Sequence, residues 1–194
     1  MTRSELSGRF DLAVVGAGIV GLATALAGAR RGLRVVVMDR DAQSNGASVR
    51  NFGFITVTGQ ARGAMWQRAR RSREIWHEVA QLAGIPIVHT GLWMTARRPE
   101  SVQVLEAFMA TEMSVGCRLL SHSEARQRCP ALSAPDLLAV LESTEELRVE
   151  SREAIPRLAD WLAQEHGVVF MRSTAVRSID MPCIHTSRGR VKAE

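Results

Sequence analysis

Residues 10–39 read FDLAVVGAGIVGLATALAGARRGLRVVVMD: a short apolar strand, a glycine turn, a helix, and a β-branched strand ending on an acid. Gly16, Gly18 and Gly21 fit G-x-G-x-x-G. The first glycine lets the chain leave the strand sharply. The second, lacking Cβ, lets a pyrophosphate approach the backbone, and the third lets the helix pack close to the sheet. The helix that follows directs unsatisfied N–H groups and the positive end of its dipole toward that pyrophosphate. Asp39 lies 18 residues after Gly21, placed to accept hydrogen bonds from ribose hydroxyls or to stand as a solvated strand-end carboxylate. Arg40 follows it, and an arginine there also suits a 2′-phosphate, so this unit alone leaves a phosphorylated nicotinamide cofactor open. The expected fold class is α/β, with a Rossmann-type parallel sheet and flanking helices.

The competing reading of this stretch is a membrane segment or signal peptide. Leu12 to Ala29 is uncharged, and Arg3 and Arg9 precede it. Gly16, Gly18 and Gly21 interrupt the run, 18 residues barely cross a bilayer, and a strand and Asp39 follow. No membrane span and no targeting segment are expected, and the expected location is cytoplasmic.

The chain has 194 residues and is 46% hydrophobic, enough for one domain or one and a half. Its net charge of +5 is a mild excess, much of it within Arg62 to Arg73. Aromatic content is 5%, there is no Tyr and no recognition motif appears, which argues against nucleic acid as a partner. Cys117, Cys129 and Cys183 are an odd, scattered set without C-x-x-C, as expected of reduced thiols. The five histidines show no metal-ligand spacing, so no metal site is expected.

Beyond Asp39, residues 40–60 form a Gly/Ser/Asn-rich loop, too long to be a plain connection. Residues 61–83 carry apolar positions at helical spacing (Met65, Ala69, Trp76, Val79), with Gly84 as the stop. Further expectations are a strand over Ile87 to Thr95, or a pair of short ones broken at Gly91, and a helix over about Ser101 to Val115. A short helix capped by Ser121 and Glu124 follows, then a strand over Leu137 to Leu141. Ser151 is expected to cap a helix running to about Gln164, with Pro156 in its first turn. Strands are expected at Val168 to Met171, Ala175 to Ile179 and Cys183 to Thr186.

Three segments in this order carry a resemblance. They are the glycine motif with its acidic strand end, G-A-S-x-R-N-F-G at Gly46 to Gly53, and H-G-V-V-F-x-x-x-T-A-V at His166 to Val176. Together they resemble the FAD-dependent oxidoreductases of the D-amino-acid oxidase type, which include glycine and sarcosine oxidases. The resemblance implies FAD as cofactor. It implies that Gly16, Ala17, Gly18, Ile19, Val20, Gly21, Asp39 and Arg40 hold the ADP half. Ala47, Ser48, Arg50, Asn51 and Gly53 would run along the pyrophosphate, ribityl chain and flavin ring, and Val176 would meet adenine through its backbone. It also implies hydride transfer from a small amine, of the amino-acid or amino-phosphonate type, to flavin N5.

The stretch ASVRNFGFITVTGQ with W-x-R-A-R-R-S-R at Trp66 to Arg73 is similar to a narrower group associated with phosphonate breakdown. No catalytic residue is fixed by this reading. Arg50 is a candidate for the charge of reduced flavin or an anionic substrate group, or else a surface arginine paired with Asp41. Arg62 is a candidate phosphonate contact, or part of a solvated helix face.

The resemblance divides the chain into an FAD-binding domain at 10–84 and 151–194, discontinuous and incomplete, and a partial α+β substrate or cap domain at 85–150. Family members are longer, so the chain is expected to be the N-terminal portion of such an enzyme. An open sheet edge would then favour self-association or a partner chain. The alternative is a non-catalytic dinucleotide-binding fragment or subunit needing a partner.

Overall fold

The structure is a computed structural model that describes residues 9–132 and 134–194. In chain order its elements begin β1 (Arg9–Phe10), β2 (Leu12–Val15), α1 (Ile19–Ala29), β3 (Val35–Met38), β4 (Phe54–Ile55), α2 (Ala64–Leu82), β5 (Ile87–Ala96) and α3 (Pro99–Met109). They continue β6 (Cys117–Ser121), α4 (His122–Arg128), β7 (Ala139–Val149), α5 (Ser151–His166), β8 (Val169–Met171), β9 (Val176–Asp180), β10 (Cys183–Thr186) and β11 (Gly189–Ala193). Contacts group them into two units: residues up to Phe52 with Val79–Pro86 and Glu150–Glu194, and Gly53–Glu78 with Ile87–Val149.

The first unit is built on a parallel sheet of order β2-β3-β8. β3 sits in its middle, and Val35, Val36, Val37 and Met38 are at most 2% exposed. A continuous β-branched run is what a strand covered on both faces requires, and each such side chain contributes roughly 1.5–3 kcal/mol on burial. Val36 and Met38 pack with Met171 against Ile184, Val191 and Ala193 of a second sheet, ordered β1-β11-β10-β9. The alternate residues Val35 and Val37 face the other way, and α1 packs on β2 and β3. Leu22, Ala25 and Leu26 of α1 are buried, as are Ile155, Leu158 and Leu162 of α5, and the two helices contact each other. This is the α/β class expected, with a parallel sheet and helices.

The second unit is an antiparallel sheet of order β4-β7-β5, with β6 also paired to β7. β7 runs 11 residues, where the apolar pattern indicated a strand only to Leu141. The remainder, ESTEELRV, looks like a loop by composition but is central to the sheet. Neighbours on both sides satisfy its backbone, and Ser143 and Glu146 are buried. α3 covers one apolar cluster of Ala96, Leu105, Ala139 and Leu141. α4 covers another of Leu120, Ala125, Leu137 and Val140.

Several local expectations are corrected. Of the two forms expected for residues 87–95 the single strand is present: β5 runs through Gly91, which takes φ +75° at a register shift. The helix expected over Ser101 to Val115 starts at Pro99, a first-turn proline, and stops at Met109. A separate turn of 3-10 helix follows at Glu112–Ser114. The Ser121/Glu124 capping box is present. α5 is capped by Glu150, whose carboxylate accepts the Arg152 N–H, while the Ser151 hydroxyl donates to the Asn51 carbonyl at 3.1 Å. Pro156 is the sixth helical residue, beyond the first turn. β1 and β11 were not anticipated, since their exposed charged residues conceal the pairing of Phe10 with Ala193. Gly53–Glu78, placed by sequence with the dinucleotide-binding part, groups with the second unit because β4 pairs with β7 there.

Candidate cofactor site

β2 ends at Val15, and Gly16 takes φ +102°, a conformation that glycine adopts without strain. Its N–H donates to the Met38 carbonyl at 2.7 Å, which ties the turn to the neighbouring strand end. Gly18 is the N-cap of α1 and supplies no side-chain cap. The first amide of the helix, Ile19 N–H, donates instead to the Ser48 hydroxyl at 2.9 Å. A Cβ on Gly18 would stand 3.0 Å from Ser48 Oγ, and a Cβ on Gly21 would stand 1.9 Å from the Gly16 carbonyl oxygen. Gly18 therefore keeps a cradle open, and Gly21 makes the turn-to-helix packing possible.

The Asp39 carboxylate is turned back onto the glycine loop. Oδ2 accepts the Ala17 N–H at 2.7 Å and Oδ1 accepts the Asp41 N–H at 2.9 Å. An ionised carboxylate has about four lone-pair sites, so each oxygen retains capacity for a ribose hydroxyl. Ser44 donates to the Ala17 carbonyl at 3.1 Å and pins the 42–46 segment to the same turn.

These groups surround one cavity of about 420 Å³ at the carboxyl ends of β2 and β3. Gly16, Gly18, Asp39 and Arg40 line it from the β-α-β side, and Ala47, Ser48 and Val176 from beyond. Gly46 of the expected loop also lines it, as do Asp41, Ser44 and Asn45, which the sequence did not assign to the site although their turn-forming composition marked the loop. Ala17 and Gly21 act through backbone contacts just described. Ile19 contributes its N–H, and the Val20 side chain is 78% exposed.

Three of the expected residues do not line this cavity. Asn51 donates from Nδ2 to the Ala47 and Ser48 carbonyls at 2.8 and 3.0 Å, closing the 3-10 turn at Ala47–Val49. Gly53, at φ +72°, meets β7: a Cβ there would stand 1.8 Å from the Val149 carbonyl oxygen, so its lack of a side chain serves strand packing. Arg50 lines a separate cavity of about 520 Å³, and Asp41 pairs with Arg40 at 3.7 Å.

In the second unit, Arg62 engages Glu112 with both arms of its guanidinium at 2.8 Å. This hydrogen-bonded pairing holds the Glu112 carboxyl below its ordinary range and raises Arg62. Arg62 is thus occupied by a carboxylate. The same unit has a cavity of about 410 Å³ with Phe54, Leu92, Trp93 and Met94 on its walls beside Glu146 and Arg148. Among the described residues no helix is long and apolar enough to cross a membrane, and no three of His, Cys, Asp and Glu form a group able to hold a metal ion.

An α/β turn with glycine amides, a helix N-terminus and a strand-end carboxylate around one crevice defines a dinucleotide-binding protein. Residues 11–193 match the family model described as DAO, FAD dependent oxidoreductase, and the chain belongs to that family. Its cofactor is FAD, and the residues present fit it: the Gly18 cradle is open, and the donors around it are backbone amides and a hydroxyl suited to pyrophosphate. The chain is 26% identical over 183 residues to monomeric sarcosine oxidase of Bacillus sp. (strain B-0618), covering 91% of this chain and 46% of that protein. Its fold is similar to glycine oxidase from Bacillus cereus ATCC 14579, with TM-score 0.80, 22% identity, and coverage of 95% of this chain and 53% of that one. It is also similar to L-α-glycerophosphate oxidase from Mycoplasma pneumoniae with FAD bound, with TM-score 0.79, 18% identity, and coverage of 95% and 51%. The chain thus spans about half the length of these relatives.

Proposed function

We propose that this chain forms the FAD-binding part, with a portion of the substrate domain, of an oxidoreductase that oxidises a small amine. The observation that supports it best is the convergence of the glycine turn, Asp39, Ser48 and Val176 on one cavity at the carboxyl ends of parallel strands. In this reading the amides at the start of α1 and the Ser48 hydroxyl hold the pyrophosphate, and Asp39 holds the ribose. The backbone at Ala175 and Val176 meets adenine. Bound FAD would supply the hydride-accepting chemistry. In this reading the first unit corresponds to the FAD-binding domain and the second to the partial substrate domain.

The finer reading is an amine bearing an anionic group of the phosphonate type, within an enzyme of which this chain is the N-terminal portion. Its support is the resemblance over ASVRNFGFITVTGQ and Trp66 to Arg73. Arg62 would have to leave Glu112 to take part.

The test is the visible absorption spectrum of the purified chain incubated with FAD, before and after anaerobic addition of amines. A protein-bound flavin spectrum that bleaches with an amino-phosphonate supports both levels of the reading. Binding without bleaching favours a non-catalytic dinucleotide-binding fragment or a subunit needing a partner. Absence of any FAD binding by the folded chain overturns the assignment of the cavity.

A further inference from the structure

The larger cavity of the first unit, about 520 Å³, has a charge pattern that the FAD reading does not use. Arg50, Arg152 and Arg172 all line it, and no Asp or Glu does. None of the three pairs with a carboxylate of a described residue. The acids nearest in sequence are committed elsewhere. Asp41 lies 3.7 Å from Arg40, Glu153 lies 3.5 Å from Arg157, and Glu150 caps α5 through the Arg152 N–H. The Arg172 guanidinium carbon sits 5.5 Å from the centre of the Phe170 ring, a stacking contact that limits its freedom. The remaining walls include Ser44 and Asn45 on one side and the apolar Ile155 and Pro156 of α5 on another.

Several other arginines of this chain are matched to acids: Arg34 to Asp11, Arg62 to Glu112, and Arg118 and Arg128 to Glu142. Three unmatched guanidiniums around one concavity repel one another, and a bound anion reverses the sign of that interaction. Guanidinium forks suit the tetrahedral oxygens of phosphate or phosphonate, which can accept from several arginines at once. We infer that this cavity is a binding site for a phosphate- or phosphonate-type oxyanion, held by Arg50, Arg152 and Arg172, with any alkyl portion of the ligand against Ile155 and Pro156.

The site is distinct from the cofactor cavity but shares Ser44 and Asn45 with it. Because Ser44 also grips the Ala17 carbonyl, an anion here would order the loop that forms one wall of the cofactor cavity. The inference rests on the first unit alone and is independent of whether the chain oxidises an amine.

The test is calorimetric titration of the FAD-free chain with inorganic phosphate, methylphosphonate and ADP, repeated on Arg152→Ala, Arg172→Ala, Arg40→Ala and Arg62→Ala. Arg40→Ala reports on the cofactor cavity, and Arg62→Ala controls for loss of one positive charge. Saturable phosphate binding that weakens about tenfold in each of Arg152→Ala and Arg172→Ala, and is unchanged in the two controls, is the expected result. Circular dichroism confirms that each variant is folded, and a variant that fails is replaced by Arg→Gln at the same position. Methylphosphonate binding with the same sensitivity identifies a small alkylphosphonate as a sufficient ligand. ADP binding that depends on Arg152, without methylphosphonate binding, identifies a nucleotide as the source of the phosphate. No saturable binding of any of the three, or equal weakening in the controls, overturns the inference.

Discussion

The Ser48 hydroxyl accepts the Ile19 N–H at 2.9 Å and so caps a helix that begins 29 residues earlier in the chain. Gly18 leaves α1 without a side-chain cap of its own, and the loop returns to provide one. Ser48→Ala removes this acceptor, and the expected loss is about 1 kcal/mol of stability. It also weakens FAD binding, because the same segment lines the cofactor cavity. Urea unfolding and FAD fluorescence titration read the two effects, and an unchanged FAD affinity would remove Ser48 from the site.

Gly21 and Gly46 give opposite expectations. Alanine in a helix interior is usually better than glycine by roughly 0.5–1 kcal/mol. At Gly21 the added Cβ would stand 1.9 Å from the Gly16 carbonyl and 3.3 Å from Val14 Cγ1. Gly21→Ala should therefore destabilise, by about 1–3 kcal/mol or more, and perturb FAD binding. At Gly46 nothing lies within 4 Å, and Gly46→Ala should leave the unfolding midpoint in place. Denaturation midpoints of the two variants decide the matter.

Glu146 is 3% exposed; Oε1 accepts the Thr58 N–H at 2.8 Å, and Oε2 has no partner among the described residues. A buried carboxylate oxygen left unpaired is a cost, and the amide of glutamine keeps the acceptor for Thr58 while discarding the charge. Glu146→Gln is expected to raise stability at neutral pH by about 1 kcal/mol. A fall in the thermal midpoint would show that both oxygens are engaged in the folded protein.

Acid should loosen the second unit through Glu142. Hydrogen bonding from Arg128 holds this carboxyl at about 2, against an opposing desolvation effect, with Trp93 and Arg118 adding to the depression from 4.5. The folded value lies below the unfolded one, so this stabilisation is complete above pH 4.5 and is lost as pH falls toward 2. Thermal midpoints of wild type and Glu142→Gln should therefore differ most at neutral pH and converge near pH 2. A constant difference across that range would show that the charge of Glu142 contributes nothing.

What the sequence determined by itself was local. The glycine spacing, the β-branched run Val35 to Val37 and the carboxylate of Asp39 specify a β-α-β turn, because period, steric freedom and capping act over a few residues. The Ser121/Glu124 box and the Gly84 and Gly167 helix ends were legible for the same reason. The family resemblance over Gly46 to Gly53 located the loop that closes the cofactor cavity.

Tertiary structure decided what depends on partners distant in the chain. It made ESTEELRV a central strand, since hydrogen-bonded neighbours on both sides outweigh weak strand propensity. It turned Asp39 back onto Ala17, matched Arg62 to Glu112, and fitted Gly53 against Val149. It also gathered Arg50, Arg152 and Arg172 around one concavity. Charge pairing and backbone proximity are set by which segments the sheets bring together, and residues a hundred positions apart leave no periodic trace of that meeting in the sequence.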